Sequence, residues 1–169
     1  MFLDLARERY SCRDLSSRPV EEEKIDRIVE AGMLAPTAVN RQPYRILRLK
    51  SERAKDAVHK VTKFTFGAPE FLLVASFSEE AWVRSSDGMN FSDVDASIVA
   101  THIMLAVKDE GLDTTWVGYF DAPELKRLLP ELEPYNLIAI FPIGYANESA
   151  EPSERHFIRK PEEEVYKEI

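Results

Sequence analysis

Apolar residues recur at helical spacing in some stretches of this chain and run almost unbroken in others, and that contrast predicts its elements. Ile25, Ile28, Val29, Gly32 and Met33 share one face of a 3.6-residue repeat. Glu21, Glu22 and Glu23 precede them, where negative charge favours a helix N-terminus. Pro36 ends the run, because proline disfavours helical geometry in the residue before it. Residues 44–49 and 71–77 read as short strands, the second a continuous apolar run that predicts burial. Residues 136–143 read as another buried strand, ended by Gly144.

Residues 96–107 are more telling. Only Ser97, Thr101 and His102 interrupt the apolar positions, and Gly111 follows as a stop. A helix without a solvent face is central or shared with another subunit, and in a chain of 169 residues this predicts an obligate dimer. Residues 146–161 are rich in Pro, Ser and Glu, which predicts an extended tail. Strands scattered between helices fit α+β and α/β equally. No repeat or Gly/Ser linker interrupts the chain, so residues 1–169 are expected to form a single domain.

Composition then removes whole classes of function. The chain is 44% hydrophobic and 31% charged, an ordinary globular balance, with 22 basic and 30 acidic residues and a net charge of -8. That charge disfavours a nucleic-acid backbone and an anionic membrane surface as partners. Cys12 is the only cysteine, so no internal disulfide forms. The N-terminal apolar run is too short and too charged for a signal-peptide core, and the longest apolar stretch is about half a membrane span. A soluble cytoplasmic protein is expected. No G-x-G-x-x-G, Walker-type loop or G-x-S-x-G elbow is present. His59, His102 and His156 show no metal-ligand spacing. His102 reads as a core histidine, Cys12 as a packing residue, and Asp93 and Asp95 as a turn residue and a helix-start residue ahead of Ala96.

Two segments carry candidate chemistry. Arg9-Tyr10-Ser11-Cys12-Arg13 alternates two guanidiniums with a hydroxyl, the right groups to clamp a phosphate. The polar loop 35–44 holds Asn40 and Gln42, whose amides can read the edge of a heteroaromatic ring.

Together with two further stretches, these segments resemble the nitroreductase-like FMN family. Its R-x-S-x-R/K element corresponds to Arg9, Ser11 and Arg13, with Tyr10 between them. Its P-S-S-x-N-x-Q-P-W element corresponds to Pro36, Thr37, Ala38, Asn40, Gln42, Pro43 and Tyr44, with Thr and Ala for the two serines and Tyr for Trp. Residues 111–121, containing Trp116, Val117 and Gly118, resemble its G-L-G-T-x-W-V-G-x-F-D stretch, and Arg159-Lys160-Pro161-Glu162-Glu163 its closing R-x-P-x-E-E.

The resemblance implies an α+β fold, with a central, mainly antiparallel sheet flanked by helices in an intertwined homodimer. It implies two FMN sites, each built from both chains, with the tail 146–169 wrapping toward the partner and delivering Arg159. It also implies transient NAD(P)H and a ping-pong transfer of electron pairs to a nitroaromatic, quinone or flavin, with no catalytic side chain; a non-catalytic FMN-binding or storage protein, or a specialised dehalogenase-type or flavin-consuming member, is the alternative. The lid region, residues 78–93, is short and predicts an open, permissive site, with Trp82 and Phe91 available to stack on a substrate or in the core.

Overall fold

A strand that is apolar at every position needs cover on both faces, and the computed structural model, which describes residues 1–169, supplies it. Four strands, β1 (Tyr44–Arg48), β2 (Glu70–Ser76), β3 (Asp113–Thr114) and β4 (Asn136–Gly144), form one antiparallel sheet in the order β1-β2-β4-β3. The unbroken apolar run of β2 alternates between two cores, as the two-residue period of a strand requires. Phe71, Leu73 and Ala75 meet Ala54, Val58 and Leu125 from helices α3 (Glu52–Val61) and α5 (Ala122–Leu128). Leu72 and Val74 meet Ile25, Ile28, Val99 and Ile103 from α2 (Glu22–Met33) and α4 (Ser92–Asp109). The fold is α+β, with the mainly antiparallel sheet and flanking helices that the resemblance implies.

Helix α4 begins four residues before the expected Ala96. Asp93 and Asp95 lie in its first turn, where carboxylates complement the positive end of the helix. Asp93 also ties the helix to two strand ends, accepting from the Ser76 hydroxyl at 2.5 Å and from Asn136 Nδ2 at 2.9 and 3.0 Å. It is therefore a helix residue and not a turn residue.

One face of α4 is in the core, through Ala96, Val99, Ala100, Ile103 and Val107. The opposite stripe, Val94, Ile98, Thr101, His102 and Leu105, stays partly or fully exposed. His102 accordingly sits on this open stripe and not in the core, beside the side chains of Phe2 and Leu5 from α1 (Phe2–Glu8). Met33 and Leu34, at the end of α2, are also exposed. The sequence pattern did not mark α3, because alanines supply much of its buried face; Ser51 caps it by accepting from the Ala54 N–H at 3.2 Å.

The tail is largely exposed and folds into two short turns, residues Glu154–Phe157 and α6 (Glu162–Val165). Its first half stays against its own chain: Asn147 donates to Asp14 at 2.6 Å, and the His156 ring sits edge-on to Tyr10 at 6.4 Å. No helix is long and apolar enough to cross a membrane.

An ion network fixes α2 to the sheet. Arg48 donates to Glu22 and, at 2.9 Å, to Glu70; Lys50 donates to Glu22 at 2.9 Å. The Arg48 bond, followed by that of Lys50, lowers the Glu22 carboxyl from 4.5 to about 2. A carboxyl depressed on folding gives its full stabilisation above its unfolded pKa and loses it as pH falls through the folded value. Denaturant unfolding followed by circular dichroism should therefore show a stability loss between pH 4.5 and about 2. Glu22→Gln should reduce that slope and lower stability at neutral pH; an unchanged slope would remove Glu22 from the acid transition.

Candidate functional site

The backbone becomes extended where α1 ends, at Arg9 (φ -66°, ψ 127°). Ser11 then pairs in parallel with Thr114, outside β3, and the Cys12 N–H donates to the Thr114 carbonyl at 3.1 Å. Alternate residues of an extended chain face opposite sides. Tyr10 and Cys12 turn inward: Cys12 is fully buried and accepts from the Tyr10 hydroxyl at 3.7 Å. Burial and this bond push the Tyr10 phenol well above its ordinary pKa. The side chain of Tyr10 is half-buried and packs against the core. Alternation assigns Arg9, Ser11 and Arg13 to the other side, which is the physical sense of the R-x-S-x-R spacing.

Arg13 borders a cleft of about 200 Å³ that Phe64, Phe66, Trp116, Gly118 and Tyr119 also line. The same alternation shapes its floor. Val117 exchanges both backbone hydrogen bonds with Ile140 at 3.0 Å and is only 4% exposed, so its side chain belongs to the core. Trp116 and Gly118 lie exposed on either side of it. A side chain at Gly118 would meet nothing closer than 3.9 Å, so the surface above its backbone is open. Neither the Trp116 nor the Gly118 N–H donates to a group of the chain. Thr62 holds the segment in place by donating to the Tyr119 carbonyl at 2.8 Å. Gly67, at φ 81°, lets the loop carrying Phe64 and Phe66 close onto the N-terminal segment; a Cβ there would lie 2.7 Å from the Leu15 carbonyl oxygen. Nothing in the sequence marked Phe64 or Phe66 as cleft residues, because their approach depends on that loop closure; Tyr119 lies within the 111–121 stretch.

The arginines divide into two groups. Arg7, Arg18, Arg27, Arg45, Arg48, Arg53, Arg84 and Arg127 pair with carboxylates. Arg9, Arg13, Arg41, Arg155 and Arg159 have no carboxylate partner, in a chain with 30 acidic residues against 22 basic ones. Four of these five flank or belong to the segments singled out by sequence. Arg159 turns back to donate to the carbonyls of His156 and Ile158 and does not join Arg13 at the cleft.

The amide loop lies elsewhere. Pro36, Asn40, Arg41 and Gln42 are exposed, and Thr37 and Ala38 half-buried. Val39, Asn40 and Gln42 all have positive φ, at 45°, 57° and 54°. The loop leads into β1, and Tyr44 stands level with Ser76 and Asn136. Ser11 lies beyond the opposite sheet edge, beside Thr114, which stands level with Ile143 and Glu70 at the other strand ends. Strand spacing and rise separate the two by about 19 Å across the sheet and about 20 Å along it. One chain therefore does not bring Asn40 and Gln42 to Arg13, Trp116 and Gly118. Residues 78–93, expected as a lid, contain a tight hairpin beside the amide loop. Val83 bridges Asn90, Phe77 N–H donates to the Pro43 carbonyl at 2.9 Å, and Trp82 stacks edge-on against Phe91 at 5.1 Å.

The antiparallel α+β fold is the one found on comparison with known proteins. The profile of the nitroreductase family matches residues 6–63 and 58–145. A nitroreductase family protein from Clostridium difficile 630 is 33% identical and superposes with a TM-score of 0.90 over 99% of this chain and 97% of its own. A protein of Methanothermobacter thermautotrophicus, provisionally named an NADH dehydrogenase/NAD(P)H nitroreductase, is 27% identical over 154 residues, 87% of this chain and 78% of its own length. The fold is also that of a provisionally named nitroreductase from Exiguobacterium sibiricum 255-15 solved in complex with FMN (TM-score 0.83, 20% identity, 100% and 97% covered). The chain belongs to the nitroreductase family.

Proposed function

We propose that this protein is an FMN-dependent oxidoreductase. It would work as a homodimer and pass electron pairs from NAD(P)H to a small oxidised acceptor (a nitroaromatic, a quinone or a flavin) by a ping-pong cycle through one site. The observation that carries the proposal is the cleft itself: an unpaired guanidinium, Arg13, beside an open backbone with two free N–H donors at Trp116 and Gly118. These groups fit FMN. Arg9, Ser11 and Arg13 supply cationic and hydroxyl donors for its phosphate. Trp116, the Val117 backbone and Gly118 form a surface on which a flat ring can lie, and the free N–H groups can donate to its nitrogen and oxygen edge. FMN held by these residues would supply two-electron redox chemistry between a nicotinamide and an acceptor.

Pro36, Thr37, Ala38, Asn40 and Gln42 belong to the same site when a second chain supplies them, since the sheet keeps them from their own cleft. The exposed stripe of α4, with Phe2, Met33 and Leu34, provides an apolar face for that second chain. Arg159 would complete the phosphate site after exchanging its own backbone carbonyls for the ligand. Each chain would act as one domain, with the exposed part of its tail available to the partner. In this reading the protein positions the ring, holds the phosphate and excludes water from one face; no side chain is required to carry a proton.

The test is the visible spectrum of purified protein, recorded again anaerobically with NADH or NADPH. Flavin bands should bleach and return on adding a nitroaromatic or quinone. Bands that persist with both nicotinamides would refute the oxidoreductase reading, and failure to take up added FMN would refute the cofactor.

A further inference from the structure

The amide loop carries a conformational burden. Val39, Asn40 and Gln42 are held at positive φ, although none is glycine and one is β-branched. Such residues persist only where surrounding contacts over-determine them. Within the loop, Thr37 Oγ1 accepts from the Gln42 N–H at 3.1 Å, and the Asn40 N–H donates to the Thr37 carbonyl at 3.0 Å. Those bonds fold the loop on itself without fixing it to anything. The side-chain anchor comes from 57 residues away: Asp95 Oδ1 accepts from the Ala38 N–H at 2.9 Å. Asp95 is 1% exposed, sits in the first turn of α4, and its Oδ2 has no hydrogen-bond partner.

We infer that Asp95 is a positioning residue for the cofactor site: by holding the Ala38 N–H it sets the loop conformation that presents Asn40 and Gln42. The inference rests on the reading of that loop as part of an FMN site. Asp95 touches neither cofactor nor substrate; it acts through the loop. The carboxylate is used as a one-bond acceptor. Its charge is balanced by the N-terminal end of α4, and its second oxygen makes no bond that a substitution could remove. Because α4 also carries the exposed apolar stripe, the same helix would link the loop to the dimer face.

This assigns different outcomes to two substitutions. Asparagine keeps an acceptor oxygen for Ala38 and puts an amide where the unpartnered oxygen stands, whereas alanine removes the anchor. Asp95→Ala should weaken FMN binding, followed by fluorescence quenching on titration of the apoprotein, about tenfold or more. Asp95→Asn should stay within about threefold of the unaltered protein, less than the loss of one charge-assisted bond.

Trypsin supplies a readout that needs no FMN, because Arg41 is exposed in this loop. Cleavage after Arg41 in the apoprotein should accelerate in Asp95→Ala and not in Asp95→Asn, at temperatures where both are folded. If Asp95→Ala does not fold, Ala38→Pro replaces it in both measurements. It deletes the donor N–H while Thr37 keeps the extended backbone (φ -132°, ψ 158°) that suits a residue before proline. Equal losses in the alanine and asparagine variants would overturn positioning in favour of a role for the charge, and unchanged cleavage with unchanged affinity would overturn it entirely. If the unaltered protein binds no FMN, the site reading fails, while the cleavage comparison still decides whether Asp95 sets the loop.

Discussion

Leu105→Asp is expected to yield a folded chain that neither dimerises nor retains FMN. Leu105 lies on the open stripe of α4 and belongs to neither hydrophobic core, so an aspartate there leaves the internal packing of one chain in place. In a dimer formed through this stripe, each chain would contribute an unpaired buried charge, one turn from Asp109 on the same helix. A buried charge without a partner costs several kcal/mol, and two-fold symmetry doubles the penalty, so the dimer should weaken about a thousandfold or more. Sedimentation or light scattering gives the oligomeric state, circular dichroism the fold, and the visible spectrum the flavin. A monomer that keeps FMN would sink the two-chain site, and a dimer that persists unchanged would move the interface away from α4. Ile103 would make a poor probe of the same idea, because it is fully buried against the sheet and its loss would unfold the chain.

Arg13→Ala should produce the second large effect, and on one property only. Arg13 makes no ion pair, and its single hydrogen bond is a 3.4 Å contact to the Ser11 carbonyl, so little internal structure depends on it. Removing a charge-assisted bond to the cofactor costs about 1.5–3 kcal/mol, which is roughly a ten- to hundredfold loss in FMN affinity. The thermal midpoint of the apoprotein should be nearly unchanged. Unaltered FMN retention would take Arg13 out of the phosphate site and leave Arg9 as the cation to examine.

Much of this was legible in the chain because the signals are local. The apolar run of β2 announces two-sided burial whatever covers it. The R-x-S-x-R spacing is a two-residue alternation that needs only an extended backbone, and the segment is extended from Arg9 onward. Tyr10 shows the limit of matching positions without geometry: it falls within the motif, yet its half-buried ring packs against the core and its hydroxyl donates to Cys12. What stayed hidden depends on distant contacts. Asp95 reads as an ordinary helix-start residue until a loop 57 positions earlier in the sequence is seen to hang from it. Phe64 and Phe66 reach the cleft only because Gly67 permits backbone contact with Leu15. Helix α3 escaped notice because alanines make a faint stripe. Which stripe of α4 stays open could not be read, because hydropathy marks apolar residues without saying which lie against the same chain.

The hairpin of residues 83–90 springs from the end of β2 beside the amide loop, while Arg9 and Arg13 flank Ser11 at the far edge of the sheet. With a site assembled from two copies, that layout lets acceptor preference and cofactor retention drift independently over evolutionary time. Substitutions in the hairpin would reshape the entrance in one copy without disturbing the anchorage donated by the other. On the proposed two-chain site, a lineage can explore new acceptors while its flavin stays in place, and divergence should accumulate in residues 78–91 sooner than in residues 9–13.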